Sequence, residues 1–138
     1  MTRINLVHPT QLTNKHLMAE YRELPRIFTS VAKLEGKKPT DVNIPPRYVL
    51  GTGHMKFFYN KLSWLLARYE ELYDELIKRG YNIDTQLFLS VVQSTDSIPR
   101  VWFNSTDYNP SPEDVYLNMV RICKRSNIAT VDQELSCT

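Results

Sequence analysis

The strongest hydrophobic pattern of the chain lies between residues 15 and 28. Read as an α-helix that advances about 100° per residue, this stretch collects four apolar side chains on one face: Leu17, Tyr21, Leu24 and Phe28. Three basic side chains, called the basic face below, fall within about 40° of one another on the opposite side: Lys15, Arg22 and Arg26. Glu23 lies beside them. The pattern predicts a helix that packs through one side and presents three cations and a carboxylate elsewhere.

Capping and breaking residues give the bounds of this first helix. Thr13 or Asn14 suits the N-cap, and we expect the helix to run to about Leu34. Pro25 lies inside it, where the missing backbone donor should kink the axis or disrupt the helix locally. Residues 35–39 combine charged residues with Gly and Pro and predict an exposed turn.

A second, longer amphipathic helix is predicted from His54 onward. Its apolar residues recur at spacings of three and four: Phe58, Leu62, Leu65, Tyr69, Leu72 and Leu76. The Lys-Arg-Gly sequence at 78–80 predicts its end, because cations favour the last turn and glycine accepts left-handed geometry. Gly51 and Gly53, just before the helix, predict an unusual backbone path.

A third helix has clear start signals. Ser111 is a suitable N-cap, and Pro112 suits the first helical position. Its packing stripe is formed by Val115, Met119, Ile122 and Cys123. Arg121 and Arg125 lie one turn apart, and we expect both on the exposed side. Residues 87–92, in the less regular stretch before this helix, are compatible with a short helical turn or a strand.

These patterns predict an all-α protein, a single compact domain of residues 1–138 with three main helices and long connecting loops. Residues 126–138 lack a strong period and are expected to form a loose C-terminal tail. No run approaches the roughly 18 apolar residues that a membrane span needs, so we expect no membrane partner. The N-terminus lacks an apolar signal core and the chain has only two cysteines, so we expect a cytoplasmic protein, and a monomer.

The charges are unevenly distributed along the chain. Residues 1–82 hold 13 Lys and Arg against 8 Asp and Glu, whereas residues 83–138 hold 4 against 7. A basic front half suits an anionic partner, nucleic acid first. Two interpretations of the basic face stay open at this point: a solvated surface, or a phosphate-binding ridge with an acid/base group at its edge.

Several kinds of site are not indicated by the residue types. The Gly-Thr-Gly at 51–53 is too short for a Walker phosphate loop, and no Cys/His spacing matches a zinc site. We therefore expect no metal and no cofactor. His8, His16 and His54 are scattered, and hydrogen-bonded structural roles are expected for them. The aromatic run 57–59 is expected in the core rather than on a base-stacking platform.

The amine at the chain start is a further candidate group. If Met1 is removed, the free α-amine belongs to Thr2, whose small side chain permits that removal. An α-amine has an ordinary pKa of about 7.7–8.0, so a sizeable fraction is neutral and nucleophilic at physiological pH. Such an amine can attack an electrophilic carbon and form a Schiff base. The amine matters only if the fold brings it beside a catalytic carboxylate.

Four blocks of the sequence together resemble the bacteriophage-type pyrimidine-dimer DNA glycosylases, also called the endonuclease V family. They are residues 1–6 (MTRINL), 16–26 (HLMAEYRELPR), 50–62 with its Gly-Thr-Gly-His and aromatic run, and 78–80. The resemblance is close over about residues 1–83. It implies a DNA repair enzyme that excises the 5′ pyrimidine of a cyclobutane dimer and then cuts the strand by β-elimination. Its expected partner is double-stranded DNA that contains pyrimidine dimers or abasic sites.

The resemblance also implies roles for individual residues. It assigns the attacking amine to Thr2 and the catalytic carboxylate to Glu23. Phosphate and groove contacts fall to Arg3, Arg22 and Arg26, and a weaker match in the third helix adds Arg121 and Arg125. Lys15 replaces a glutamine that is common in the family, and we count it among the DNA-binding residues because it belongs to the basic face.

The C-terminal part departs from the family pattern. A basic, aromatic tail implicated in dimer recognition is replaced here by an acidic stretch without aromatics, residues 127–134. Trp102 and Phe103 are candidates to substitute for it. Two alternatives therefore stay open: a glycosylase for another damaged or modified base, and a DNA-binding module on the same fold without catalysis.

Overall fold

A computed structural model describes residues 3–103 and 108–125, the side chains of 123–125 excepted. Its α-helices, in chain order, are α1 Asn14–Glu23, α2 Pro25–Ala32, α3 His54–Phe57, α4 Leu62–Lys78, α5 Thr85–Ser94 and α6 Pro112–Arg125. Short 3-10 turns lie at Pro9–Gln11, Pro39–Asp41, Thr95–Ser97 and Arg100–Phe103. The described ranges contain no strand, which confirms the predicted all-α class. The expected tail, residues 126–138, lies outside the described residues.

The first predicted helix is divided in two at its proline. Thr13 is the N-cap, and its hydroxyl accepts a hydrogen bond from the His16 amide at 3.3 Å. α1 and α2 meet at Leu24, which keeps right-handed helical geometry although Pro25 brings no amide donor to continue the ladder. The predicted local disruption is confirmed, and α2 ends at Ala32, two residues before the expected end.

The second predicted helix begins at His54 as expected but is divided in two. The short α3 starts at His54, and a turn separates it from α4, which ends at Lys78 as predicted. Gly80 has a φ of 91°, and its amide donates to the Ile77 carbonyl at 2.9 Å, so it closes the helix in the left-handed conformation. Gly53, at the N-cap of α3, has a φ of 89°, which confirms the unusual path before it.

The stretch whose sequence pattern was least regular forms α5, and α6 follows it. α5 is a full helix rather than a strand, and the Asp84 carboxylate caps it by accepting from the Gln86 and Leu87 amides. α6 begins at Pro112 with Ser111 as its cap, as predicted, since the Ser111 hydroxyl accepts from the Asp114 amide at 3.1 Å.

α4 lies at the centre of the hydrophobic core. Four of its leucines are fully buried: Leu62, Leu65, Leu72 and Leu76. The helix packs against α1 and against the 3-10 turns at Pro9–Gln11 and Arg100–Phe103. Trp102 and Phe103 belong to this core, with 1% and 8% of their surface exposed, so the idea that they replace the aromatic tail on a DNA surface was wrong. Within the described part of the chain, no helix has the length and apolarity that crossing a membrane requires.

Candidate functional site

The two faces of α1 lie as the sequence predicts. Leu17 and Leu24 are fully buried on the packing side. The three cations of the basic face, Lys15, Arg22 and Arg26, are exposed, and no described residue pairs with their side chains through an ion pair or hydrogen bond. Unneutralised cations that share one exposed surface repel one another, and they are available to an anion from outside the chain.

Glu23 stands at the edge of the basic face, at the C-terminal end of α1. Its side chain is half-buried, and among the described residues it makes no ion pair or hydrogen bond. The last turn of α1 therefore combines an exposed Arg22 with a carboxylate that has no described partner within the chain. Such a carboxylate is an acceptor that a bound molecule can use.

The chain start is a non-helical segment, called the N-terminal segment below, of which residues 3–7 are described. Ile4 is fully buried, and both of its backbone polar groups are bound by side chains. Its amide donates to Nε2 of His54 at 2.8 Å, and the hydroxyl of Tyr48 donates to its carbonyl at 3.0 Å. Side chains thus do for this segment what a neighbouring strand does in a sheet.

The next residues of the segment are held in the same way from α6 and α4. The Oδ1 atom of Asn118 accepts from the Leu6 amide at 2.7 Å and from the Val7 amide at 3.3 Å. Arg68 donates from Nη1 to the Val7 carbonyl at 2.6 Å. The N-terminal segment is therefore fixed by side chains from three other parts of the fold.

One contact fixes the segment relative to α1. Nδ2 of the buried Asn5 donates to Oε1 of Glu20 at 2.9 Å. Glu20 and Glu23 are three residues apart on α1, which is about 4.5 Å along the helix axis. The chain start is thus attached to α1 within one turn of the candidate catalytic carboxylate.

A buried charge network lies beneath this contact. Arg68 pairs with Glu20 at 2.7 Å, with 3% and 0% of the two side chains exposed. Arg121 reaches into the same network, where Nη2 donates to Oδ1 of Asn5 at 3.0 Å. Arg121 is only 9% exposed, so its predicted position on the exposed side was wrong. The i, i+4 spacing of two arginines did not reveal that α6 turns the first of them towards Asn5.

His54 is bound at both ring nitrogens. Its Nδ1 donates to the Val49 carbonyl at 2.7 Å, because a carbonyl can only accept, and this leaves Nε2 unprotonated to accept from Ile4. Burial lowers the pKa of His54 to about 4, the hydrogen bond to Val49 opposes that shift, and the charges of Arg121 and Arg3 add to it. The ring is therefore neutral at physiological pH.

The other histidines also have the structural roles expected of them. Nδ1 of His8 contacts the Thr10 hydroxyl at 2.8 Å, and Nδ1 of His16 contacts the Thr13 hydroxyl at 2.9 Å. Within the described ranges, no group of three or more His, Cys, Asp or Glu residues is placed to hold a metal ion.

A cleft of about 470 Å³ opens next to the N-terminal segment. Its lining includes Arg3, Asn43, Pro45, His54, Lys56 and Tyr59. Gly51 and Gly53 both line it, and a side chain at Gly53 would be strained, because φ is positive and a Cβ atom would come within 3.1 Å of Pro45. Phe57 and Phe58 are core residues as predicted, whereas Tyr59 is only partly buried.

Two predicted site residues lie outside this geometry. Thr2 and the side chain of Arg125 are not among the described residues. Their roles stay predictions, as do the DNA contacts expected of Arg3 and Arg121. Of the other predicted site residues, the structure collects Lys15, Arg22, Glu23 and Arg26 on α1 and the start of α2, and it brings Arg3 to the cleft.

Sequence reasoning missed the buried network, although part of its signal was present. Glu20 falls about 40° from Leu24 on the helical projection of the packing face. Arg68 falls about 40° from Leu72 by the same projection on α4. Opposite charges at two core-facing positions predict a buried pair, since an unpaired charge there is too costly. Nothing in the sequence pattern pointed to Asn5 and Asn118.

A comparison with known protein families matches most of this chain. A family model described as "Pyrimidine dimer DNA glycosylase" matches residues 1–89. The matched range contains the N-terminal segment, the basic face, Glu23, Arg68 and His54. α6, with Arg121 and Asn118, lies beyond it.

Proposed function

Because this chain belongs to the pyrimidine dimer DNA glycosylase family, we propose that it excises the 5′ pyrimidine of cyclobutane pyrimidine dimers in double-stranded DNA and then cuts the strand. Membership makes DNA the substrate class and base excision the class of reaction. The lesion, the imine chemistry and the strand cleavage are the proposal.

In the proposed reaction the α-amine of Thr2, freed by removal of Met1, attacks C1′ of the damaged nucleotide. The bond from C1′ to the base breaks, and the base leaves C1′ with the bonding electrons, takes up a proton and stays joined to its neighbour through the cyclobutane ring. The C1′–O4′ bond then opens, O4′ takes up a proton, and the amine nitrogen becomes a protonated imine with C1′. Loss of a C2′ proton then expels the 3′ phosphate by β-elimination. Water finally hydrolyses the imine and releases the amine. No metal or cofactor enters this sequence.

Glu23 is the proposed catalytic carboxylate at the sugar. The observation that carries this assignment is the hydrogen bond from Asn5 to Glu20, which attaches the chain start to α1 one turn from Glu23. Thr2 precedes Asn5 by three residues, which span at most about 10 Å in an extended chain. An ionised carboxylate within reach of C1′ would stabilise the positive charge that develops at the sugar.

The basic face is the proposed phosphate clamp. Lys15, Arg22 and Arg26 carry charge that no described residue neutralises, which suits contacts to successive phosphates. Arg3, Arg121 and Arg125 are proposed as further DNA contacts. The groups of the proposed mechanism belong to one chain, so we also propose that it acts as a monomer, in the cytoplasm.

The substitution Glu23→Gln tests the catalytic assignment. The variant keeps the shape of the side chain and the basic face, so DNA affinity should be retained while excision from a duplex with one dimer is lost. Glu71→Gln, at an exposed carboxylate on α4, is the matched control and should excise normally. Excision by Glu23→Gln at the normal rate would refute the role of Glu23.

The acidic, non-aromatic sequence of residues 127–134 gives a reason to test a second lesion class. A glycosylase for another damaged base would use the same amine and carboxylate but release a different base. Cleavage of the glycosidic bond, measured as strand breaks in a dimer duplex and in duplexes with oxidised or alkylated bases, separates the two substrates. Firm DNA binding without cleavage of any of these duplexes would favour the non-catalytic module.

A further inference from the structure

The clamp on Ile4 acts on the residue that follows Arg3, two positions after Thr2. Ile4 is bound on its amide by His54 and on its carbonyl by Tyr48. Tyr48 lies in the segment that leads into α3 and His54 is the first residue of α3, and both are buried, with 3% of their surface exposed. Two side chains from one structural unit thus determine the orientation of one residue.

The His54 ring is itself held rigidly. Its Nδ1–H donates to the Val49 carbonyl, which fixes both the tautomer and the tilt of the ring. The Tyr48 and Phe58 rings meet it edge-on, at centroid distances of 5.4 and 5.7 Å. Nε2 is therefore an acceptor with a defined position and direction.

The Ile4 amide, from which His54 accepts a hydrogen bond, belongs to the peptide unit that joins Ile4 to Arg3. Because a peptide unit is planar, the N–H of Ile4 lies in one plane with the carbonyl and Cα of Arg3. A hydrogen bond that fixes this N–H therefore fixes the carbonyl and Cα of Arg3, and only the two backbone torsions of Arg3 separate that plane from the peptide that joins it to Thr2. Thr2 precedes Ile4 by two residues, which span at most about 7 Å in an extended chain.

We propose that His54 is a positioning residue for the Thr2 amine, acting by holding the Arg3–Ile4 peptide in one orientation through its Nε2 atom. Tyr48 assists from the other side of Ile4. This inference rests on the proposed function, because it presupposes that the amine attacks the sugar.

The rest of the N-terminal segment does not depend on this clamp. Asn118 holds Leu6 and Val7, and Glu20 holds Asn5. Loss of the His54 acceptor would therefore loosen the Arg3–Ile4 peptide, with Tyr48 still on the Ile4 carbonyl, while residues 5–7 stay attached to α1, α4 and α6. An amine whose direction is released loses the orientation on which its reactivity depends, and misplacement by about 1 Å can cost about 10²-fold in rate.

Two substitutions separate the hydrogen bond from packing. His54→Phe keeps an aromatic ring against Tyr48 and Phe58 but has no acceptor, whereas His54→Gln offers a side-chain oxygen at a reach similar to that of Nε2. The measurement is the single-turnover rate of borohydride trapping on a duplex with one abasic site, together with the Kd for the same duplex. Leu76→Ala, in the core of α4, is the control for a general loss of stability.

We expect His54→Phe to trap at least about 10-fold more slowly while its Kd stays within twofold of the wild-type value. His54→Gln should recover part of the rate. Leu76→Ala should trap at the wild-type rate per folded molecule. Trapping by His54→Phe at the wild-type rate, or a parallel loss of binding and trapping, would overturn the inference.

Amide hydrogen exchange at Ile4 tests the clamp independently of the chemistry. We expect protection in the wild type and in His54→Gln, and fast exchange in His54→Phe, with Leu6 protected in all three. If His54→Phe does not fold, Tyr48→Phe takes its place, with a smaller loss of trapping rate expected. If the wild type forms no adduct, the proposed function fails, and protection of Ile4 that is equal in all variants overturns the clamp itself.

Discussion

α1 carries charge in two settings, and they differ in what holds the charge in place. Glu20 faces inward, where Arg68 and Asn5 satisfy its carboxylate. The basic face points outward, and no described residue pairs with its three cations. Because Glu20 and Arg68 are buried, each must be paired within the fold, since an uncompensated charge there is costly. Exposure leaves the basic face available to a ligand at almost no cost to the fold.

The largest expected effect is on the buried side of this comparison. Arg68→Met leaves the Glu20 carboxylate buried without its cation, so the free energy of unfolding should fall by about 3–5 kcal/mol. Urea denaturation followed by circular dichroism measures the change. The double variant Arg68→Met/Glu20→Gln should recover a large part, because it removes the charge and keeps an acceptor for Asn5. A loss below about 1 kcal/mol in the single variant would contradict a structural role for the pair.

The second effect concerns His54 and acid. Its pKa is about 4 in the fold and 6.5 in the unfolded chain, so the unfolded state binds more protons between these values. The contribution of His54 to stability is therefore complete above pH 6.5 and is lost as the pH falls towards 4. At about 1.4 kcal/mol per pH unit the loss amounts to about 3 kcal/mol.

The measurement is the free energy of unfolding of the wild type and of His54→Gln across that range. The difference between the two proteins should change with pH between 6.5 and 4 and level off outside it. Parallel curves would mean that the ring is protonated in the folded state as easily as in the unfolded chain, which the hydrogen bond from Ile4 to Nε2 forbids.

The third effect belongs to the exposed side. Each phosphate contact contributes about 0.9 to the slope of log K against log salt for duplex DNA, so Arg22→Gln/Arg26→Gln should lower that slope by about 2. Fluorescence anisotropy with an undamaged duplex at several salt concentrations measures it. The free energy of unfolding should stay within about 0.5 kcal/mol of the wild-type value.

Lys78→Gln, at an exposed cation on α4 outside the basic face, is the matched control and should leave the slope unchanged. If all these variants bound DNA with the wild-type slope, the basic face would be a solvated surface, which is the alternative that the sequence left open.

The smallest effect is expected at an ion pair between the two extremes. Arg79, the C-cap of α4, pairs with Glu75 of that helix at 2.7 Å, with 19% and 13% of the two side chains exposed. Glu75→Gln should cost about 0.5 kcal/mol, because solvent screens the pair and Arg79 keeps its bonds to Asn14 and Pro9. Thermal denaturation measures the change in stability. A loss of stability as large as that expected for Arg68→Met would contradict the distinction between buried and exposed charge.

The sequence predicted the parts of the fold that local chemistry determines. Thr13 and Ser111 cap the helices as expected, and the two faces of α1 were assigned correctly, because capping and a 3.6-residue period are local properties. α5 was ambiguous, since its mixed apolar run of 87–92 suits either a helix or a strand until Asp84 caps it. Arg121 was misplaced because its position depends on how α6 packs against the chain start.

The parts of the candidate site also differ in whether a local sequence pattern predicts them. Glu23 and the basic face could be read from one helix and from resemblance to known sequences. The clamp on Ile4 could not, because it joins residues 50 positions apart through a hydrogen bond to a backbone amide, which no side-chain pattern records. Asn118 accepts a hydrogen bond from the Leu6 amide, 112 positions away, and no side-chain pattern records that contact either.

The most direct test of the account is to identify the atom that bonds to DNA. The processed protein, with Met1 removed, is incubated with a duplex containing one cyclobutane dimer and reduced with borohydride, and the adduct is then mapped by peptide mass spectrometry. We predict one covalent adduct on the amine of Thr2, which is absent when Met1 is retained. An adduct on a lysine, or full strand cleavage by the protein that retains Met1, would contradict it.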